Sequence, residues 1–277
     1  MKKILLLILV LALIFVFSAC KEDKNNTRNS TISQEVTSEK VSQDAPHNNL
    51  EGETLVQPKN YFEEKSNLGI DYLLHKPVRQ TDKKYPLIIF LHGLNDKVYK
   101  SDLGIASTLV LSLIKYENES DDYSAYTLIP TTPESGSWQP SQFENLKTLI
   151  TTTINHENID PKRVYMAGVS MGGWTVCRLI NEMPPNTFAA AIPFSGCNNL
   201  QNPELHLNTA FRIYHNANDT IVNESCTIAL NQQLLNAGHK NTDYEIFAFG
   251  DHGTCVNIVF LGNATTFFPW LFEQRLP

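Results

Sequence analysis

A single serine stands among glycines in the stretch RVYMAGVSMGGW, which occupies residues 163–174. Gly168, Ser170 and Gly172 match the pattern G-x-S-x-G, in which small residues before and after the serine let a strand turn sharply into a helix. The stretch before the motif reads as a strand, and GGWTVCRLINEM after it reads as a helix. This context favours a nucleophilic Ser170 over the alternative, a glycine-rich turn that carries a solvated serine.

A base must follow Ser170, because a serine hydroxyl becomes a good nucleophile only when a neighbouring group removes its proton. His252 is the candidate among the eight histidines of the chain, since it comes directly after the strand-like DYEIFAF. His215 lies inside the strand-like AFRIYHN, so we expect it to pack or to orient a loop. The sequence therefore predicts His252 as the general base.

An acidic residue is needed to orient the base and to stabilise its imidazolium form. Asp219 follows the strand AFRIYHN and falls between Ser170 and His252 in the chain. Asp251 adjoins His252, and neighbouring side chains on an extended loop diverge, which makes it a poor orienting group. Glu224 stands where the next helix should begin and could favour its positive end. We predict Asp219 as the acid.

Two backbone N–H groups are candidates for holding the negative oxygen that develops when a carbonyl is attacked. Met171 directly follows the serine, and Leu94 stands in the loop HGLN after the strand-like PLIIFLHG. We expect His92 of this loop to brace the backbone and not to take part in catalysis. Trp138 follows the strand-like YTLIP, where it could line a substrate cleft or simply pack against a loop.

Strand-like and helix-like segments alternate from about residue 60 onward, which is typical of α/β proteins with a mostly parallel sheet. NYFEEKS and LGIDYLLHKP predict an opening hairpin, and SQFENLKTLITTTINHEN predicts a helix that begins with a capping pair of Ser141 and Glu144. A turn at Asp160-Pro161 is expected before the strand RVYMAGV. Further helices are expected near residues 103–115, 172–183, 224–237 and 263–274.

The first residues have the composition of an export signal. Lys2 and Lys3 precede an apolar run from Ile4 to Phe17, too short to favour a permanent span, and small residues then lead to Cys20. This arrangement resembles a bacterial lipobox, in which an acylated Cys20 would anchor the protein to the extracytoplasmic face of the cell membrane. A plain secretory peptide, with the protein secreted, is the alternative. Polar residues that follow Cys20 predict a flexible tether.

These features divide the chain into three parts. We expect a signal peptide at 1–19, a lipidated and disordered tether at 20–57 and a catalytic domain at 58–277.

Charge and cysteine spacing exclude several classes of partner. A net charge of −7, without a cluster of Lys and Arg beyond the N-terminus, argues against nucleic acid. Cys177, Cys197, Cys226 and Cys255 contain no CxxC pair, so we expect no metal site. Their disulfide state stays open. A bridge between Cys226 and Cys255, which stand near the acid and base loops, is one hypothesis.

Several short motifs occur along the chain: His92-Gly93, the Gly168–Gly172 elbow, Phe188-Ala189-Ala190, Asp219-x-x-Val222 and Gly250-Asp251-His252. Together they resemble the α/β-hydrolase superfamily. Within it the chain is similar to serine esterases of the phospholipase/carboxylesterase-like, dienelactone-hydrolase-like and feruloyl- or polyhydroxybutyrate-esterase-like groups, some of whose relatives are described as predicted peptidases. Where such relatives often carry His-Gly before the acid, this chain carries His215-Asn216.

The resemblance covers about residues 70–275. It implies the α/β-hydrolase fold, with a mostly parallel central sheet and helices on both faces. A large lid domain is not expected, because no long insertion separates FAAAIPFSG from AFRIYHN. The resemblance also implies that Ser170, Asp219 and His252 form a catalytic triad, with Leu94 and Met171 as oxyanion donors.

These observations predict a serine carboxylic-ester hydrolase that works through an acyl-enzyme and needs no cofactor. Polysaccharide-linked or small acyl esters are the expected substrates. We expect the protein to contact the membrane through its lipid anchor only. A serine peptidase of the same fold is one alternative. A non-catalytic surface-binding lipoprotein is the alternative from another class, although the presence of Ser170, Asp219 and His252 together argues against it.

Overall fold

Eight strands form one sheet, and six neighbouring strands in it run parallel. The computed structural model describes residues 61–94, 106–132, 137–138 and 140–277, so the predicted signal peptide, Cys20 and the tether lie outside the described residues. In chain order the strands are β1 (Phe62–Asn67), β2 (Ile70–His75), β3 (Tyr85–Leu91), β4 (Tyr126–Pro130), β5 (Ile159–Val169), β6 (Ala190–Phe194), β7 (Ala210–Asn216) and β8 (Thr242–Phe247). They lie side by side in the order β1-β2-β4-β3-β5-β6-β7-β8, with β1 and β2 antiparallel to their neighbours.

Helices lie in most connections between the parallel strands and also follow the last strand. They are α1 (Ala106–Glu119), α2 (Pro140–His156), α3 (Met171–Glu182), α4 (Ser225–Asn236), α5 (Thr254–Asn257) and α6 (Ala264–Glu273). Short 3₁₀ turns occupy Asp121–Tyr123 and Pro203–His206, and a π-helical turn at Ile258–Gly262 follows α5. In the described part of the chain, the connection between β6 and β7 contains only one of these 3₁₀ turns and no lid domain.

The sheet is covered by helices on both faces. Every residue of β3 is buried, and successive residues belong to opposite clusters, as the two-residue period of a strand requires. Ile88 and Phe90 pack with residues of α1 and α6, whereas Leu87 and Ile89 pack with residues of α2, α3 and α4. The expected α/β architecture, an α/β-hydrolase fold with a mostly parallel sheet, is therefore confirmed.

Several local predictions are confirmed and others are wrong. The hairpin turns at Leu68 and Gly69, whose φ angles of 55° and 72° are the positive values that a type I′ turn requires. The capping pair at Ser141 is wrong, because α2 begins at Pro140 and Ser141 already lies inside the helix. Proline is favoured in the first helical turn, since it has no N–H to leave unpaired there.

The turn predicted at Asp160-Pro161 is also wrong. Strand β5 runs through both residues, and its pairing with β3 shifts register between the partners Tyr85 and Leu87. A bulge of this kind absorbs the proline and keeps the strand continuous. The start expected for the first long helix, at residue 103, lies outside the described residues, and the described helix α1 extends to Glu119.

The C-terminal helices are rich in apolar residues. Within the described ranges no single helix is long and apolar enough to cross a membrane, and Thr254–Gly262 with Ala264–Glu273 would pass only as a pair bent by 86°. Phe260, Phe267 and Phe268 of this pair are buried in the cluster that also contains Phe90 of β3. Their apolar character is therefore accounted for by packing against the sheet.

The carboxyl ends of the parallel strands form one edge of the sheet, and the candidate functional residues follow these ends. Leu94 follows β3, Ser170 follows β5, Asp219 follows β7 and His252 follows β8. Because the ends of parallel strands meet at one edge, residues far apart in the chain come together there.

Candidate active site

Ser170 stands at a strained turn between β5 and α3. Its φ and ψ angles are 55° and −114°, a region that residues with a side chain rarely occupy, at a cost of about 1–3 kcal/mol. The Ser170 N–H donates a hydrogen bond of 2.8 Å to the carbonyl of Phe194 at the end of β6. The strand–turn–helix context predicted from the G-x-S-x-G motif is therefore present, and the neighbouring strand holds the turn.

The glycines of the motif are required by close backbone approaches. A Cβ atom on Gly168 would lie 2.5 Å from the carbonyl oxygen of Gly172, and one on Gly172 would collide with the carbonyl oxygen of Leu91. Neither neighbour can move easily, because both colliding atoms belong to the backbone. A side chain at either position would force apart the elbow or its contact with β3.

A further glycine, which the sequence did not single out, supports the elbow from behind. A Cβ atom on Gly196, just after β6, would collide with the carbonyl oxygen of Ser170, and one on Gly173 would collide with that of Gly196. Gly93 on the other side is less constrained, since its Cβ would lie at an ordinary 3.6 Å from Ser170 Cβ. The Ser-Gly that ends the strand-like FAAAIPFSG was the available sequence signal for Gly196.

Asp219 and His252 are paired at the same edge of the sheet. His252 Nδ1 lies 2.7 Å from Asp219 Oδ2, and the other carboxyl oxygen accepts N–H bonds of 2.9 Å each from Ile221 and Val222. The Asp219 side chain is fully buried, whereas the His252 side chain is 24% exposed. A carboxylate can only accept, so Nδ1 carries a proton and Nε2 is the basic nitrogen in the neutral ring.

The carboxyl group of Asp219 is held in its ionised form. Burial raises its pKa, but the hydrogen bonds from Val222, His252 and Ile221 outweigh burial, and the pKa lies below its ordinary value. The two rival acids are engaged differently. Asp251 Oδ1 accepts a bond of 2.6 Å from the Thr254 hydroxyl, and Glu224 stands at the N-cap of α4 without a capping bond from its side chain.

A second histidine contacts the same carboxylate from the protein interior. His215 Nε2 lies 3.2 Å from Asp219 Oδ2 and 2.9 Å from the carbonyl of Val222, and Nδ1 lies 2.9 Å from the Thr227 hydroxyl. Burial lowers the pKa of His215, but Cys226, the Val222 carbonyl and Asp219 together outweigh this and raise it. His215 thus orients the acid loop, as the sequence led us to expect.

Two buried polar side chains fix the loop that carries His252. Asn216 at the end of β7 donates a 2.7 Å bond to the Phe249 carbonyl and accepts a 2.8 Å bond from the Cys255 N–H. The Ser195 hydroxyl accepts a 3.2 Å bond from the N–H of Gly253. Sequence reasoning missed both roles, although it noted that asparagine replaces the glycine of the resembling family at position 216.

The loop after β3 lies against the nucleophile. His92 Nδ1 donates a 2.7 Å bond to the Gly93 carbonyl, and Nε2 accepts a 3.0 Å bond from the N–H of Thr132. The histidine therefore braces the loop, as expected, and Gly93 packs beside Ser170. Leu94, the second predicted oxyanion donor, follows Gly93 in this loop and is 56% exposed.

Met171 is the first residue of α3, where backbone N–H groups have no partner within the helix. Its side chain is buried. Among the described residues, Ser170 Oγ makes no hydrogen bond to His252, so the structure joins acid to base directly but not base to nucleophile. Such contacts are often long in the absence of substrate and tighten when it binds.

A cavity of about 390 Å³ opens beside the elbow. Met171 and Trp138 both line it, whereas Ser170, Asp219 and His252 do not, so Met171 is the residue that this cavity shares with the elbow. Trp174 lines the same cavity and is 41% exposed, a contribution that sequence reasoning missed. A second cavity, of about 420 Å³, lies at the other end of the strands around Tyr85 and Arg163. Its lining residues include none of the candidate site residues.

Two of the four described cysteines face each other, and the other two contact other groups. Cys197 and Cys226 have their sulfur atoms 2.7 Å apart, whereas Cys255 lies 3.3 Å from the Ser195 hydroxyl. The hypothesis of a bridge between Cys226 and Cys255 is wrong, because Cys226 faces Cys197. All four described cysteines are free thiols. Among the described residues, no group of three or more His, Cys, Asp or Glu could hold a metal ion.

The sheet order and these contacts are those of an α/β-hydrolase fold, and comparison with known proteins supports this. A family model described as the prolyl oligopeptidase family matches residues 135–223, less than half of the chain. The matched range includes Ser170 and Asp219 but ends before His252. No curated protein sequence shows significant similarity to the chain.

Solved structures of esterases and peptidases share the fold. A thermostable esterase is 25% identical with a TM-score of 0.67, and the match covers 79% of this chain and 64% of that one. Est1E from Butyrivibrio proteoclasticus is 15% identical, with a TM-score of 0.55 and coverage of 77% and 98%. An acylaminoacyl peptidase from Pyrococcus horikoshii is 16% identical, with a TM-score of 0.57 and coverage of 78% and 42%. The chain therefore resembles α/β-hydrolase serine esterases, as its motifs predicted.

The backbone contact at Gly196 predicts a large effect of a single methyl group. Gly196→Ala should lower the free energy of unfolding by roughly 2 kcal/mol or more, because the new Cβ meets the Ser170 backbone. Gly93→Ala adds the same group on the other side of Ser170, where it has room. That control should change stability by less than about 1 kcal/mol. Urea unfolding measures both, and equal losses would contradict the assignment.

The Asp219 environment predicts a pH dependence of stability. Because the folded state lowers the pKa of Asp219, the group stabilises the fold above its unfolded pKa of about 4, and this contribution is lost as the pH falls through the folded value. Unfolding free energies of the wild type should therefore fall more steeply between about pH 4 and pH 2 than those of Asp219→Asn. Parallel curves for the two proteins would mean that Asp219 is not held in its ionised form.

Proposed function

We propose that the chain hydrolyses carboxylic esters through an acyl-enzyme formed on Ser170. The observation that carries the proposal is the 2.7 Å contact between His252 Nδ1 and the buried Asp219 carboxylate, at the sheet edge where Ser170 occupies its strained turn. A partly exposed imidazole whose Nδ1 is bound to a buried carboxylate presents its Nε2 to the site, which is the arrangement that a general base requires. A serine nucleophile and an orienting acid complete the chemistry of acyl transfer.

In the first step, His252 Nε2 takes the proton of the Ser170 hydroxyl as its oxygen attacks the ester carbonyl. The N–H groups of Met171 and Leu94 bind the oxygen that becomes negative. His252 then gives its proton to the departing alcohol, which leaves the acyl group on Ser170. Water then attacks the acyl group on Ser170, with His252 again acting as the base, and the carboxylic acid is released. Asp219 stays ionised throughout and stabilises the imidazolium of His252.

Esters are preferred to peptides in this proposal because the thermostable esterase is the more similar of the two kinds of structure. It is 25% identical and aligns over 64% of its own length, compared with 16% and 42% for the acylaminoacyl peptidase. The family model gives specific support to the second candidate, a serine peptidase, since it is described as the prolyl oligopeptidase family. Both reactions would use the same three side chains.

The cavity beside Met171 is the proposed binding place for one side of the substrate. Trp138 and Trp174 offer aromatic surface there, and Asn198, Asn199 and Gln201 offer polar groups. A mixture of this kind suits a substrate that presents both an apolar face and hydroxyl groups. Acyl groups attached to a sugar or a small alcohol meet this description.

We also propose that the enzyme is held at the extracytoplasmic face of the cell membrane by lipid on Cys20. The support is the sequence of the leader, in which Lys2 and Lys3 precede a short apolar run and small residues precede the cysteine. Residues 20–57 would then separate the hydrolase from the membrane. A secreted protein without lipid is the alternative.

Substitution of the nucleophile tests the reaction. Ser170→Ala should lower kcat for p-nitrophenyl acetate by about 10⁴-fold or more and should abolish labelling by a fluorophosphonate, since the attacking oxygen is gone. The exposed Ser66→Ala on β1 is the matched control and should retain both. Undiminished hydrolysis by Ser170→Ala would exclude the proposed nucleophile, and absence of labelling in the wild type would favour a non-catalytic protein. A kcat/KM for matched amides that equals that for esters would favour the peptidase.

Substitution of Cys20 tests the anchor. Cys20→Ser should move the protein from the membrane fraction to the soluble or secreted fraction and should prevent incorporation of labelled fatty acid. Ser18→Ala keeps the cysteine and should leave the protein in the membrane fraction. Equal distribution of the wild type and Cys20→Ser would show that lipid on this residue does not hold the protein.

A further inference from the structure

Two thiols face each other behind the acid loop. Cys197 follows β6, and Cys226 lies in the first turn of α4, with their sulfur atoms 2.7 Å apart. This is closer than the van der Waals separation of two sulfur atoms. A disulfide bond of about 2.05 Å would need the sulfurs to move by less than 1 Å. The side chains are therefore already arranged for a covalent bond, although both are thiols in this structure.

The surroundings make Cys226 the more reactive of the two. A hydrogen bond from Cys197 lowers the pKa of the Cys226 thiol, burial opposes this, and His215 lowers it further. Cys226 is only partly buried, so a reagent can reach it, while Cys197 is buried. Thiolate character and access are the two properties that make a cysteine reactive.

The other two described cysteines have the opposite character. Burial raises the pKa of Cys177 and of Cys255 to about 12, and both side chains are fully buried. Cys177 lies 3.4 Å from the N–H of Asn198, and Cys255 contacts the Ser195 hydroxyl. Buried thiols without a thiol neighbour are inert, which leaves the accessible Cys226, with Cys197 in contact with it, as the reactive site in the described part of the chain.

We propose that Cys197 and Cys226 are a site of reversible oxidation and form a disulfide that ties the end of β6 to the start of α4. The oxidant is a disulfide-bearing partner, such as oxidised glutathione or a dithiol oxidoreductase. The Cys226 thiolate attacks one sulfur of the partner, forming a mixed disulfide and releasing one partner thiolate. Cys197 loses its proton and attacks Cys226 Sγ, which releases the second partner thiolate. The pair loses two electrons and two protons, and the partner's disulfide gains them.

The bond would join the segments behind the nucleophile and behind the acid. Gly196, which precedes Cys197, packs against the backbone of Ser170. Thr227, which follows Cys226, contacts both His215 Nδ1 at 2.9 Å and Cys197 Sγ at 3.6 Å. His215 in turn contacts Asp219. The disulfide would therefore link a segment that packs against Ser170 to a helix whose first turn contacts the histidine behind Asp219. Its formation is independent of whether the site hydrolyses esters.

Peptide mapping tests the proposal on the full chain. The protein is incubated with oxidised glutathione, alkylated with iodoacetamide under denaturing conditions and digested with trypsin. Cleavage after Arg178, Arg212 and Lys240 separates Cys197 from Cys226. We expect a cross-linked species of peptides 179–212 and 213–240, about 2 Da lighter than their sum, that disappears on reduction. Cys177 and Cys255 should be recovered alkylated.

Three variants serve as controls in the same experiment. Cys197→Ser and Cys226→Ser should each abolish the cross-linked species, and Cys177→Ser should retain it. Recovery of alkylated Cys197 and Cys226 after oxidation, or a cross-link to the peptide that contains Cys255, would overturn the proposal.

A second measurement uses the wild type alone. Reduction of the oxidised protein should lower its Tm by about 5–10 °C, because a disulfide restricts the unfolded chain. Cys197→Ser treated in the same way should show no shift. An unchanged wild-type Tm would contradict the bond, and neither readout depends on hydrolytic activity.

Discussion

The backbone of Ser170 is the constraint around which this edge of the sheet is arranged. Its positive φ of 55° is unfavourable for a serine, so neighbouring segments must hold it. Three backbone segments approach so closely that Gly168, Gly172 and Gly196 leave no room for a Cβ atom. The hydrogen bond from Ser170 to Phe194 completes the support. A rigid elbow of this kind presents a hydroxyl group in a fixed place, which is what a nucleophile requires.

The carboxylate of Asp219 is the second centre of the site. It is fully buried, yet it receives N–H bonds from Ile221 and Val222 and contacts the rings of His252 and His215. These partners offset the loss of hydration that would otherwise neutralise the acid. Of these two rings, only that of His252 is partly exposed. The buried carboxylate therefore contacts one imidazole that is accessible from outside the protein.

The interior side of the acid loop connects this centre to the thiol pair. His215 lies between Asp219 and the first turn of α4, where Cys226 and Thr227 stand. A change in the ionisation or bonding of Cys226 therefore reaches Asp219 through one side chain. His252 lies on a different loop, the one after β8, which Asn216 and Ser195 hold in place. The two loops meet where His252 contacts Asp219.

Local patterns were enough to predict the alternating strands and helices, the elbow at Ser170 and the order of Asp219 and His252, because each depends on a few neighbouring residues. Tertiary structure decided the rest. Ser195 reaches the His252 loop across 58 residues of chain and Asn216 across 39, contacts that carry no local signature. Four cysteines allow three pairings, and only the packing of α4 against the end of β6 selects Cys197 for Cys226. The sequence by itself determined which groups could react, whereas the sheet decided which of them meet, since parallel strands bring distant residues to one edge.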